Sequence, residues 1–442
     1  MVYESYYFCL VNYTKTKMFK NFKCQIELTE LPKDELIDLF LELQSQVLKL
    51  STKIVDKGEE KMLKKQKPLK PPRKFDFSKA HYRRVLLKIM YFGWDYQGYV
   101  VQDNTTETIE DHLFAALTKA CLIESRQTSN YHRCGRTDKG VSSLGQVISI
   151  NLRSKFPISD QNLEQSLSEE IPYCKILNSI LPSDVRAISW LPLPDNLPSY
   201  SARFDCSKRS YKYYFPKSNF DIPAMQKACN YLVGEHDFRN LCKIDTKNQK
   251  LYVREIFSAQ ILPVHRHNAE NKYSFYYLFI EGSGFLWHQI RLIFSVLILI
   301  GQGKESPSVI KDLLDVEKLN GRPQFEMAWG HPLNLFECNF KIEKEIKWIF
   351  DKSDLKSLIS HLHSIWLEHS TAATMTEDCI LNLEQKYSEQ AEDFSAKGFE
   401  DKLLPGVHKK EYINLLKRPL CKGLDMNREF NKKMKFTSTN NL

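Results

Sequence analysis

The chain has 442 residues, with 63 Lys and Arg against 54 Asp and Glu, a net charge of +9. Hydrophobic residues at 42% and charged residues at 26% exclude a disordered or fibrous chain and leave length for two or three domains with a real core. The basic balance leans toward a polyanionic partner.

Two more classes drop out on inspection. The longest apolar run, LIFSVLILIG from Leu292, is too short to span a bilayer and reads as a buried helix. The apolar patch around Tyr6 to Val11 is short and lacks a charged flank, so it does not read as a secretory signal. There are 11 Cys with no CxxC pair. That spacing argues against a zinc ribbon or redox motif, and for reduced thiols in an intracellular protein.

In chain order, Leu36, Phe40, Leu43, Val47, Leu50 and Ile54 step by four and three, a heptad seam on a helix. It serves either packing on the body of the protein or dimerisation. KMLKKQKPLKPPRK, residues 61–74, follows as a basic linker stopped by its prolines. Such a run is a solvated spacer, a nucleic-acid contact or a nuclear targeting signal. RRVLLKIMYFGWDYQGYVVQ from Arg83 reads as a strand, a Gly/Asp turn and an aromatic continuation. Residues 107–120 predict a helix with Thr108 near its start. The hexapeptide GRTDKG, 135–140, leads into a strand over 146–152. Further strands are predicted at the ends of LNSILPSDVRAISW (177–190) and SARFDCSKRSYKYYF (201–215), and over 273–281. A helix is expected over 222–232, and GSGFLWHQIRLIFSVLILIGQG reads as a loop and buried helix. Residues 343–395 are polar and helix-leaning, and the last fifteen or so look disordered. Strands and helices mix without a βαβ rhythm. The expectation is α+β with a central antiparallel sheet flanked by helices. The division expected is an N-terminal extension (1–75), two catalytic halves (76–200 and 201–342) and a C-terminal extension (343–442).

GRTDKG could be a turn, since Asp bonds its own backbone there and glycine supplies positive φ. Its company says more. GWDYQGYVVQ, GRTDKGV, LNSILPSDV, ARFDCSKRSYKYYF, GEHDF, GFLWHQIR and GQG follow one another in an order that resembles the TruA family of tRNA pseudouridine synthases over 82–340. GRTDKGVSSLGQVISINLRS, FLWHQIR with its long apolar helix, and FEMAWGHPLNLFECNF look most like the eukaryotic synthases that modify positions 38 and 39 of tRNA. The relaxed multi-site eukaryotic synthases are the nearest rivals. One departure is Ser142, where bacterial relatives usually carry His after GV.

The resemblance implies an isomerase that converts uridine to pseudouridine in the anticodon stem-loop, on a two-half fold with a basic cleft. It implies no metal and no cofactor, a tRNA partner and a homodimer. It puts the catalytic carboxylate at Asp138. Pseudouridine formation breaks the N1–C1′ bond and rejoins the base through C5 with no redox change, so one carboxylate can act as nucleophile or as base. Arg136 can pair with Asp138 or a phosphate; in the family this Arg is also thought to fill the space left by the extruded base. A flipped pyrimidine needs a flat partner, and motif alignment points to Tyr211, with Leu286 as an apolar wall. Tyr213 and Tyr214 read as core. Arg291, a charge in an apolar helix, needs a partner such as Asp138. Arg203, Lys208 and Arg209 are expected to meet phosphates. His288 reads as a satisfied core histidine. His236 and Asp237 in HDF lack further ligands for a metal. The basic linker suggests placement in nucleus and cytoplasm.

Two other classes fit the composition: an RNA-binding protein without activity, against which the intact GRTD loop and Tyr211 argue, and a nucleic-acid glycosidase or nuclease, which uses paired carboxylates or metal-binding acids not apparent here.

Overall fold

The computed structural model describes residues 75–194, 197, 199–244, 251–264, 273–342, 347–389, 400–405 and 411–421. The heptad stretch 36–54, the basic linker 61–74 and the chain end after 421 lie outside them.

Nine strands occur among the described residues: β1 (His81–Tyr91), β2 (His132–Arg133), β3 (Ser142–Ser154), β4 (Val185–Pro192), β5 (Cys206–Pro216), β6 (Gly234–Asp237), β7 (Val253–Pro263), β8 (Phe275–Gly282) and β9 (Leu333–Phe340). They form one sheet in the order β4-β1-β3-β9-β5-β8-β7-β6, with β2 also on β3. The helices used below are α1 (Ile109–Lys119), α2 (Tyr173–Asn178), α3 (Ile222–Asn230), α4 (Gln289–Gly301) and α5 (Lys352–Ser388).

The sheet differs from the expected antiparallel one at a single junction. β3 and β9 pair in parallel through Ser142↔Asn334 and Ser143↔Leu335, while the other pairings are antiparallel. Two antiparallel halves therefore meet at a short seam. Connections within each half are local, but β9 reaches the middle of the sheet from far along the chain, so neighbouring-strand rules do not fix its direction.

Each half has its own core. Val85, Leu87 and Ile89 of β1 pack with Leu113 and Leu117 of α1, and Leu86 on the other face joins the larger core around Tyr213, Phe215 and Phe294. Burial of both faces explains why β1 reads as an almost unbroken apolar run. α1 starts where Thr108 accepts a hydrogen bond from the Asp111 backbone N–H, with Glu110 and Asp111 in its first turn favouring the helix dipole. α4 is apolar all round, as buried helices are. Every residue of it except Arg291 is buried. β7 escapes the sequence reading because its buried positions, Ile256, Ala259 and Ile261, are spaced unevenly among polar residues.

Candidate active site

The connection from β2 to β3, residues 134–141, carries the GRTD stretch and emerges at the seam. β2 and β9 occupy successive lengths of the same edge of β3, so the loop leaves the sheet where one gives way to the other. The GWDYQGY segment cradles it. The Tyr99 N–H donates to the Thr137 carbonyl at 3.1 Å, and the Gly140 N–H to the Tyr96 carbonyl at 3.3 Å. Tyr91 and Thr137 share a hydroxyl hydrogen bond of 2.8 Å. Gly98 has φ +110°, and a Cβ there would stand 3.2 Å from the Thr137 carbonyl. Only glycine combines that backbone with so close an approach.

Asp138 is therefore aimed by main-chain bonds on both sides while its carboxylate stays partly open, at 28% exposure. Its Oδ2 lies 3.4 Å from His288 Nε2 and 3.5 Å from Arg291 Nη1. Both are longer than a strong hydrogen bond, and the second is an ion-pair distance. Arg291 is fixed by its Nε, which donates to the Ala328 carbonyl at 2.8 Å. The structure brings Arg291 and Asp138 together as the sequence suggests. It also brings in His288, which sequence reasoning set aside as a core residue. His288 holds φ +62° at the start of α4, an uncommon conformation for a side-chain-bearing residue. Burial pulls its pKa below the ordinary histidine value, against the upward pull of Asp138. The ring is thus biased toward its neutral form.

Tyr211 sits on β5, buried, between the two segments that carry these charges. Its ring meets Phe285 edge-on at 5.2 Å, and its hydroxyl lies 4.0 Å from where a Cβ on Gly135 would stand. Burial drives its pKa upward, so the phenol stays protonated. Leu286 is buried beside it in the same core, its N–H capped by the Gln289 side chain at 2.7 Å. Tyr213 is fully buried and stacks on Phe294 at 3.9 Å, as a core residue does.

The basic residues divide. Arg136 is exposed and forms no ion pair with Asp138, whose cationic partner, Arg291, comes from α4 instead. Burial of part of its stem and the neighbouring Arg133 and Arg203 lower its pKa, the mark of a cluster of like charges. Arg203 is exposed too, lying 5.1 Å over the ring of Phe204, itself 74% exposed. These two remain free to meet phosphates. Lys208 instead pairs with Glu281 at 3.0 Å. Arg209 donates to four backbone carbonyls, those of Ser283 (2.8 Å), Arg203 (3.0 Å), Cys134 (3.2 Å) and Cys206 (3.3 Å). A guanidinium so engaged braces the loop from beneath, which corrects the phosphate role expected of it. In the HDF stretch, His236 bonds the Val233 carbonyl and Asp237 bonds Arg239, so neither is poised for a metal.

A second carboxylate escaped the sequence reading. Glu110 of α1 is fully buried and receives Arg133 at 2.7 Å, Tyr131 at 2.8 Å, Arg126 at 2.9 Å and the Val101 N–H at 3.1 Å. This network ties α1 to the strand just before the loop.

The tRNA pseudouridine synthase family model matches residues 228–341. The human tRNA pseudouridine(38/39) synthase is 40% identical over 419 residues, 89% of this chain and 86% of that protein. The Saccharomyces cerevisiae tRNA pseudouridine(38/39) synthase is 42% identical over 289 residues, 64% of this chain and 63% of that one. The archaeal tRNA pseudouridine synthase A of Methanosarcina barkeri is 29% identical over 298 residues, 67% of this chain and 98% of its own. With that likeness running along nearly its whole length, the chain belongs to the TruA-type tRNA pseudouridine synthases.

Proposed function

We propose that this chain isomerises uridine to pseudouridine at positions 38 and 39 of the tRNA anticodon stem-loop, with Asp138 as the catalytic carboxylate. The observation that carries the reading is the state of Asp138, an acid aimed by its loop, flanked by Arg291 and His288, yet bonded by neither at hydrogen-bond distance. A carboxylate with unused acceptor capacity can meet an incoming ribose C1′ as nucleophile or take a proton from the sugar. Tyr211 and Leu286 supply the flat and apolar surfaces against which an extruded uracil packs, because C1′ and C5 are out of reach inside a stack. Arg136 and Arg203 draw the phosphate backbone in.

The protein acts as a homodimer in this reading. α5 supports it: Leu355, Ile359 and Trp366 near its start, and Ile380, Leu383 and Tyr387 near its end, recur at heptad spacing and are exposed. The lysine run of 61–74 supports placement in nucleus as well as cytoplasm, which imaging of a tagged chain with and without that run decides.

Release of tritium from C5-labelled uridine in tRNA tests the activity. Release without free uracil or strand scission is expected. Mapping of the product should place pseudouridine at 38 and 39. Binding without release would leave an inactive RNA-binding protein.

A further inference from the structure

The spacing of cysteines along the chain shows no metal motif, but folding builds one. Cys134, the residue before Gly135, Cys206 at the start of β5 and Cys338 on β9 bring their sulfurs within 4.8 Å of one another, and all three are buried. Among the described residues no other three His, Cys, Asp or Glu side chains converge in this way. Beside them lies the partly buried guanidinium of Arg209. It is held by the carbonyls of Cys134 and Cys206 among others, and its charge acts on all three sulfurs. Among the described residues no carboxylate pairs with it. A cation withdrawn from water calls for a compensating negative charge.

We infer that Cys134, Cys206 and Cys338 form a thiolate site for one zinc ion, which pins the catalytic loop to β5 and β9 across the seam. Three thiolates with one divalent ion carry a net charge of −1, which Arg209 cancels. Sulfurs that share an ion at zinc–sulfur distances of about 2.3 Å stand about 3.8–4.0 Å apart, inside the 4.8 Å that bounds the three here. Soft thiolates select zinc or cuprous ion over the hard cations that fold tRNA, and the charge balance favours the divalent one. Each thiol gives up its proton on binding, so uptake releases up to three protons per ion. The ion lies behind the loop and takes no part in the isomerisation.

The test uses the full-length protein purified under reducing conditions. Elemental analysis after equilibration with zinc and desalting should give one zinc per chain. Cobalt added to the stripped protein should produce an intense near-ultraviolet thiolate-to-metal band, which reads sulfur ligation without any mutation. Cys338→Ser and Cys206→Ser should lose both signals, and Cys379→Ser, at an exposed cysteine, should keep them. No zinc and no cobalt band in reduced wild-type protein would overturn the proposal. So would retention of the ion in Cys338→Ser, or a disulfide joining two of the three cysteines in freshly purified protein.

Discussion

Glu110 and Asp138 are two carboxylates on the same half of the molecule, each beside two basic side chains, and they are built to opposite ends. Glu110 is fully buried and its two oxygens receive four donors between 2.7 and 3.1 Å. Asp138 keeps 28% of its side chain exposed, and its nearest basic partners, His288 and Arg291, stop at 3.4 and 3.5 Å. A saturated acid can only hold things together, because any new partner must first displace an old one. An acid with basic groups near but not bonded keeps lone pairs open for a new partner. The difference in bonding separates the two carboxylates more sharply than exposure does.

The largest effect should come from breaking Asp138, the carboxylate proposed to react. Asp138→Ala should cut turnover by about 10⁴-fold or more, with tRNA affinity within a few-fold and thermal stability unchanged. Tritium release, filter binding and melting on one preparation read all three; pseudouridine formed at even a tenth of the wild-type rate would remove Asp138 from the chemistry. Glu110→Gln should do the reverse. It leaves Arg126 and Arg133 without a counter-charge, and should destabilise the fold by about 3–5 kcal/mol. The enzyme that remains folded should turn over within a few-fold of wild type. A denaturant midpoint equal to wild type would mean that Glu110 is not the anchor described.

Tyr211 sharpens the contrast on the substrate side. Tyr211→Leu should lower turnover by about 10²-fold, and Tyr211→Phe by less, since the ring stays while the hydroxyl goes. Wild-type rates in Tyr211→Leu would reduce it to core packing.

His288 gives a pH signature. Its native pKa is depressed by burial, so between that value and the ordinary one near 6.5 the unfolded chain binds a proton that the native state does not. Stability is then fully present above about 6.5 and falls as pH drops through the native value. Melting of His288→Asn should show a shallower acid-side slope than wild type, and equal slopes would contradict the buried neutral ring. The smallest effect belongs to the exposed cluster. Arg203→Ala should weaken tRNA binding and reduce the salt slope by about one, and an unchanged slope would place Arg203 outside the RNA path.

Much of this was legible beforehand because it is local. Thr108 announces α1 through its cap, the unbroken apolar run of α4 announces burial, and the GRTD loop lies in seven consecutive family-like stretches. The lone charge in α4 demanded a partner and found Asp138. What stayed hidden depends on distant segments. His288 looks like any core histidine until α4 is placed against the loop. Arg209 looks like a phosphate ligand until four carbonyls from separate segments close on it. Cys134, Cys206 and Cys338 are far apart in sequence, and no spacing rule connects them. The pairing of Lys208 with Glu281 is equally hidden, because Glu281 lies on the neighbouring strand rather than on its own.

The place of β9 bears on how the protein comes into being. It stands between β3 and β5 in the middle of the sheet, yet among the described residues it is the last strand to be made. During synthesis β3 is complete, and β5 follows, long before residues 333–340 leave the ribosome. Until then both carry an unpaired edge in a chain rich in long-range contacts, a slow and aggregation-exposed situation. The site is also incomplete for that interval, since Arg291 takes its brace from Ala328, shortly before β9. A nascent chain can therefore fold its first half early and still be unable to act on RNA. Competence arrives as a late, single event, when one short strand closes the gap.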